Sequence, residues 1–110
     1  MILICIDHAC TFLEHFRGSA SFAVHVLSES QRDLSVRFSE MPEGRFEGVE
    51  WRTGDTGAPL LAGCLATVEC RVVTITEAGD HAIFLGEVVN AESHDGRPLV
   101  YFNRDYRFLR

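Results

Sequence analysis

Apolar and polar positions follow a spacing that changes along the chain, and the changes outline its elements. Residues 2–6, Ile-Leu-Ile-Cys-Ile, are apolar without interruption, the pattern of a strand buried on both faces. Over residues 9–17, Phe12, Leu13 and Phe16 fall on one helical face, and Gly18 supplies a stop. Residues 20–27 read as a second strand in which Phe22, Val24 and Val26 alternate with Ala23, His25 and Leu27. Ser28 and Gln31 match a capping box, which predicts a helix over 29–39. Leu34 and Phe38 share a face of it, and Pro42 and Gly44 end it.

The second half is strand-rich. Residues 46–62 mix Gly, Thr, Asp and Pro around Val49 and Trp51, giving a short strand and then a loop closed by Pro59. A long strand over 63–76, a turn at Ala78-Gly79-Asp80 and a returning strand over 81–92 predict a β-hairpin. His94-Asp95-Gly96 is a second turn, and Leu99–Phe102 with Tyr106–Leu109 gives a last strand pair. The expected fold is mainly β with short helices, an α+β domain. A small barrel plugged by its helices is the natural form, because closure removes sheet edges.

The 110 residues suit one domain, covering 1–110, and no repeat or linker divides them. With 46% hydrophobic and 24% charged residues the chain can build a real core. The net charge of −6 argues against nucleic acid as a partner, since phosphate contacts need clustered cations. Lysine is absent, so all ten basic residues are Arg, whose planar fork suits carboxylates and phosphates. The four cysteines form no Cys-x-x-Cys pair, and a reduced, mostly buried role is expected. The first apolar run is too short for a leader or a membrane span, which makes a cytoplasmic protein with no membrane contact the default expectation.

Candidate chemistry is sparse. The five histidines match no zinc spacing, so no metal is expected, and no nucleophile elbow or Gly-rich phosphate loop occurs. Two segments stand out. Gly79-Asp80-His81 sets an imidazole at the start of a strand beside an acid, which is also a common surface turn. Asp7-His8-Ala9-Cys10-Thr11 joins a strand to a helix start, where backbone N–H groups can hold a phosphate or simply cap the helix.

Taken in order, several segments resemble the flavin reductase family, the short-chain FMN-binding partners of two-component monooxygenases. They are Phe22-Ala-Val-His-Val-Leu27, Gln31 with Leu34 and Arg37-Phe38, and Arg45-Phe-Glu-Gly-Val-Glu-Trp51. Gly57-Ala-Pro-Leu-Leu61, Leu65-Ala66, Glu69-Cys-Arg-Val72, Gly79-Asp-His81, Gly86-Glu-Val88 and Pro98-Leu-Val-Tyr-Phe102 with Tyr106 continue the series. The resemblance implies a split β-barrel of Greek-key topology, a homodimer, and NAD(P)H-dependent reduction of FMN or FAD for a monooxygenase. It places Cys5, Asp7, Ala9 and Thr11 near the flavin and His81 near the nicotinamide as the catalytic residue. It assigns Arg45, Phe46 and Tyr106 to the site rim or to dimer contacts. Direct hydride transfer between two stacked rings needs no protein nucleophile, which agrees with the missing triad.

The chain departs from the family pattern twice. His25 stands where the family has Asn, and an imidazole replaces only some of the hydrogen bonds of an amide. Met1–Ile6 aligns with the family segment that comes directly after a Pro-Pro, so an N-terminally incomplete barrel is expected. Three alternatives stay open: dimerisation that covers the open edge, a longer natural chain, or a non-catalytic flavin-binding or structural dimerisation module.

Overall fold

The structure is a computed structural model, and it describes residues 1–40 and 43–109. Its largest feature is a four-stranded antiparallel sheet of β1 (Ile2–Asp7), β6 (His81–Ser93), β5 (Ala66–Ala78) and β2 (Ser21–Val26), in that spatial order. The helix α1 (Leu13–Gly18) links the two edge strands. A 3-10 turn (Glu29–Gln31) runs into α2 (Arg32–Glu40). Two small hairpins complete the chain, β3 (Trp51–Thr53) with β4 (Pro59–Leu61) and β7 (Val100–Phe102) with β8 (Asp105–Arg107). No described helix is long and apolar enough to cross a membrane.

The β5–β6 hairpin is the backbone of the fold. Gly79 takes φ +59° in its turn, a left-handed conformation that glycine adopts without steric cost. The register slips between Glu69 and Cys70 and again between Val72 and Thr74. Such bulges bend a strand and deepen its twist, which wraps the sheet around its own inner face. That face carries the core of Phe84, Ala82, Cys70, Phe22 and Leu13. Phe16 of α1 meets Phe84 edge-on at 6.0 Å. Burying a side chain as large as Phe84, which is fully inaccessible, contributes about 2–3 kcal/mol. Gly86 makes this closeness possible, since a Cβ there would lie 2.8 Å from the Cys70 Cβ.

Several expectations are corrected by the packing. The apolar run 2–6 is half-buried on one face only, because the core packs against that face and the other, with Leu3 and Cys5, is left uncovered. Cys10 is exposed as well, so only Cys64 and Cys70 are buried thiols. The first helix starts at Leu13 rather than 9, because Asp7 and Cys10 close a turn first, with the Cys10 N–H donating to the Asp7 carbonyl at 2.9 Å. The helix expected over 29–39 opens as a 3-10 turn, in which the Ser28 N–H donates to Gln31 Oε1 at 2.9 Å. Its expected stop at Pro42 lies outside the described residues. The short strand near Trp51 and the loop closed by Pro59 are present as expected, and beyond the loop Pro59 opens a further strand, β4, where a residue without an N–H is tolerated. The long strand expected over 63–76 starts and ends later, at Ala66 and Ala78. The described strands form an open, curled half-barrel with β1 and β2 as its edges, in keeping with the N-terminally incomplete split barrel expected.

His25, the residue that departs from the family pattern, has a structural task. Its Nε2 accepts the Leu61 N–H at 3.1 Å, tying β2 to β4. Partial burial pushes the imidazole below its usual value, which keeps that nitrogen an acceptor.

Candidate functional site

The β1–β6 register brings two sequence-distant candidates together. Asp7 pairs with His81, Cys5 with Ile83 and Leu3 with Leu85. Cross-strand partners share a face. The outer face of this strand pair is therefore a strip of Leu3, Cys5, Ile83 and Leu85 that ends in Asp7 and His81. Leu3 is 55% exposed, so the strip is open to a ligand.

The polar end is held from several sides. Asp7 Oδ1 accepts the Ala9 N–H at 2.8 Å, a turn closed by the side chain. Asp7 Oδ2 is left 3.9 Å from His81 Nε2. His81 Nδ1 lies 2.8 Å from Asp80 Oδ1. That hydrogen bond draws the Asp80 carboxyl below its ordinary value, so Asp80 is an ionised acceptor and His81 Nδ1 carries the proton. The His8 N–H donates to the Asp80 carbonyl at 2.8 Å and fastens the β1–α1 turn to the β5–β6 turn. Ligating atoms of Asp7, Asp80 and His81 lie within 4.8 Å of one another, a grouping that the sequence spacing does not reveal.

A second network backs this end. His8 Nε2 sits 2.6 Å from Glu77 Oε2, and the Arg17 guanidinium pairs with the other Glu77 oxygen. Arg17 first and His8 second hold the Glu77 carboxyl below its ordinary value. Arg17 thereby anchors α1 to the end of β5. Exposed ion pairs of this kind contribute little to stability, so their effect is to fix the turn.

The remaining candidates lie elsewhere. Thr11 is exposed and precedes Phe12, at the mouth of a groove of about 740 Å³ between α1, β2 and α2. Arg45 stacks its guanidinium over Phe12 at 4.1 Å, and Phe46 meets Phe38 edge-on at 5.2 Å. Both line this groove with His15 and His25, and His81 does not. Tyr106 does not line the groove; its hydroxyl is 2.9 Å from Oγ of Ser35, which does, and Arg32 lies over its ring at 5.1 Å. The structure thus unites Cys5, Asp7, Ala9 and His81 and sets Arg45, Phe46 and Tyr106 apart.

Sequence reasoning missed Glu69. This carboxylate is 2% exposed and has no cationic partner among the described residues. It accepts the Thr56 N–H at 2.6 Å, the Thr56 hydroxyl at 2.5 Å and the Asn90 amide at 3.3 Å. The Thr56 hydrogen bonds hold it ionised, below its ordinary value. It pins the 54–58 turn to β5, and the available signal was an acid set directly between Val68 and Cys70.

Comparison with known proteins places the chain in a family. The profile of the family described as "Flavin reductase like domain" matches residues 1–110. The chain is 31% identical over 109 residues to the flavin-dependent monooxygenase reductase subunit HsaB of Mycobacterium tuberculosis, covering 96% of this chain and 58% of that protein. It is 44% identical over 87 residues to the FMN reductase (NADH) SmoA of Agrobacterium fabrum, covering 78% of this chain and 49% of that protein. The chain therefore spans about half of these curated relatives. The solved NADH:FAD oxidoreductase SgcE6 of Streptomyces globisporus, in complex with NAD and FAD fragments, superposes with a TM-score of 0.90 at 32% identity. That match covers 98% of this chain and 67% of the other.

Proposed function

We propose, from the premise that this chain belongs to the flavin reductase like domain family, that it acts in NAD(P)H-dependent reduction of FMN or FAD. The observation that carries the reading is the open strip of β1 and β6 that ends in the Asp7–His81 pair. Leu3, Cys5, Ile83 and Leu85 offer a flat apolar surface for the flavin ring. The exposed Ala9 and Thr11 flank the ribityl and phosphate end, and His81 contacts the nicotinamide. Reduced nicotinamide supplies a hydride to the flavin, so the residues of this chain bind, orient and exclude water rather than react.

The site residues are Cys5, Asp7, Ala9 and Thr11 toward the flavin and His81 toward the nicotinamide. Arg45, Phe46 and Tyr106 serve the groove and the subunit contacts around it. The single domain spans 1–110 and acts in the cytoplasm as a homodimer that supplies reduced flavin to a monooxygenase component. That HsaB is named as a monooxygenase reductase subunit supports the last point.

The test is an anaerobic mixture of purified chain, FMN and NADH, read by loss of the oxidised flavin absorbance. Catalytic bleaching is the expected outcome. A rate equal to the protein-free control, with no quenching of flavin fluorescence on titration, sinks the reading.

A further inference from the structure

The β3–β4 hairpin is fastened at its two ends by different chemistry. At the loop end, the ionised Glu69 accepts two hydrogen bonds from Thr56, and the Ser21 hydroxyl donates to the Thr56 carbonyl at 3.2 Å. At the other end, the Leu61 N–H donates to His25 Nε2 at 3.1 Å, and the Gln31 side-chain amide donates to the Ala62 carbonyl at 3.0 Å. Of these last two contacts, the one to His25 depends on a proton. A neutral imidazole keeps one nitrogen free to accept, and an imidazolium keeps none. Pro59 and Leu61 form the β4 wall of the groove of about 740 Å³, and His25 lines the same groove from β2.

We infer that His25 is a proton-operated latch on this wall: protonation sets a ring N–H against the Leu61 N–H, and the Leu61 end of the hairpin swings away from β2 about the pinned 54–58 turn. Burial disfavours the charged imidazole while the latch is closed. Opening returns the ring to water, so proton uptake and opening favour each other. Few other charges face His25. On β5, Glu69 is its diagonal neighbour by register, with oxygens engaged by Thr56 and Asn90. His15 of α1 and Arg45 line the same groove. The α2 residues on the groove, Leu34, Ser35, Phe38 and Ser39, bring no charge, and neither does β4. Asn, the residue of the family pattern, offers an amide oxygen that accepts at every pH. The departure at His25 thus makes one clasp of the hairpin titratable.

Trp51 reads the latch. It is the single tryptophan of the chain, pairs with Leu61 across the hairpin and meets Phe46 at 5.5 Å. In wild type its emission should shift between about pH 7.5 and about pH 5, either side of the ordinary imidazole value. Far-ultraviolet circular dichroism should stay constant over that range. His25→Asn should hold the emission flat, and H25Q does the same service if the shorter side chain disturbs the fold. H15N should titrate like wild type.

Hydrogen exchange locates the motion. Below the ordinary 6.5 and above the folded value, protection of the Leu61 amide should fall by about tenfold per pH unit, the slope of one proton taken up on opening. The Gly54 amide, bonded to the Ala58 carbonyl at the pinned end, should keep its protection over the same range. Unchanged Leu61 protection in wild type overturns the latch. So does a Trp51 transition that survives in both His25 variants, or one that H15N removes. Equal losses at Gly54 and Leu61 overturn it as well, because the hairpin would then detach whole instead of swinging from one end.

Discussion

Glu69 shows how one buried charge can be stable without a cation. Three hydrogen bonds, two from Thr56 and one from Asn90, replace the water it gave up. Gln in its place can keep both Thr56 bonds on its one oxygen but sets an NH2 donor against the Asn90 amide donor, so E69Q should lose about 1–3 kcal/mol in urea unfolding. The same contacts predict an acid limb. The carboxyl titrates below its ordinary 4.5 when folded, so its stabilisation is present above that pH. It is lost as pH falls through the folded value, and E69Q should flatten that limb. His25 acts in the same direction at higher pH, because the folded form keeps it neutral below the ordinary 6.5. The unfolded chain binds the proton first, so stability falls as pH drops below 6.5 toward the folded value. H25N should remove that portion of the pH dependence of the melting temperature. An unchanged slope between wild type and H25N would refute the assignment.

Among the elements, legibility followed local pattern. The β5–β6 hairpin could be read because its turn, Ala78-Gly79-Asp80, and its alternation lie within one stretch of chain. The three-residue strand β4 carries too few positions for a period to register, whereas its partner β3 showed through Trp51. The helix start was misplaced because a side-chain turn at Asp7 competes with helix over residues 8–12. The one-sided burial of β1 was hidden as well, since an apolar run does not say whether a neighbouring layer covers both faces. Gly86 illustrates a feature that only packing reveals. Any Cβ there meets the Phe22 ring and Cys70 inside the core, 2.8 Å from the Cys70 Cβ. G86A should therefore cost about 1–3 kcal/mol by overpacking. G18A, in open space at the end of α1, should stay within about 0.5 kcal/mol of wild type. Equal midpoints for the two variants would remove the close-packing argument.

At the scale of the molecule, the site was legible as residues and not as a place. Asp7 and His81 could each be named from short motifs, but only the β1–β6 register makes them neighbours, and register is set by pairing across the whole sheet. The C-terminal hairpin raises the corresponding question of what lies outside the chain. Its inner side is anchored: the Leu99 N–H donates to Leu27, and Tyr106 bonds Ser35 beneath Arg32. Beyond that side Phe102 is 70%, Phe108 66% and Leu109 53% exposed, and Tyr101, whose ring meets that of Tyr106 at 5.1 Å, is itself 62% exposed. A two-stranded hairpin is marginal by itself, and large apolar residues gathered at one place mark an interaction surface. The proposed homodimer gives them a partner of matching chemistry, a second copy of the same patch. F102E should then shift the chain toward monomer by at least tenfold in dimer dissociation constant, the scale expected of a buried aromatic anchor. Its core is untouched, so its circular dichroism should match wild type. Sedimentation equilibrium across a range of concentrations reads the outcome directly. The same dissociation constant for both chains would mean that the hairpin faces something other than its own copy.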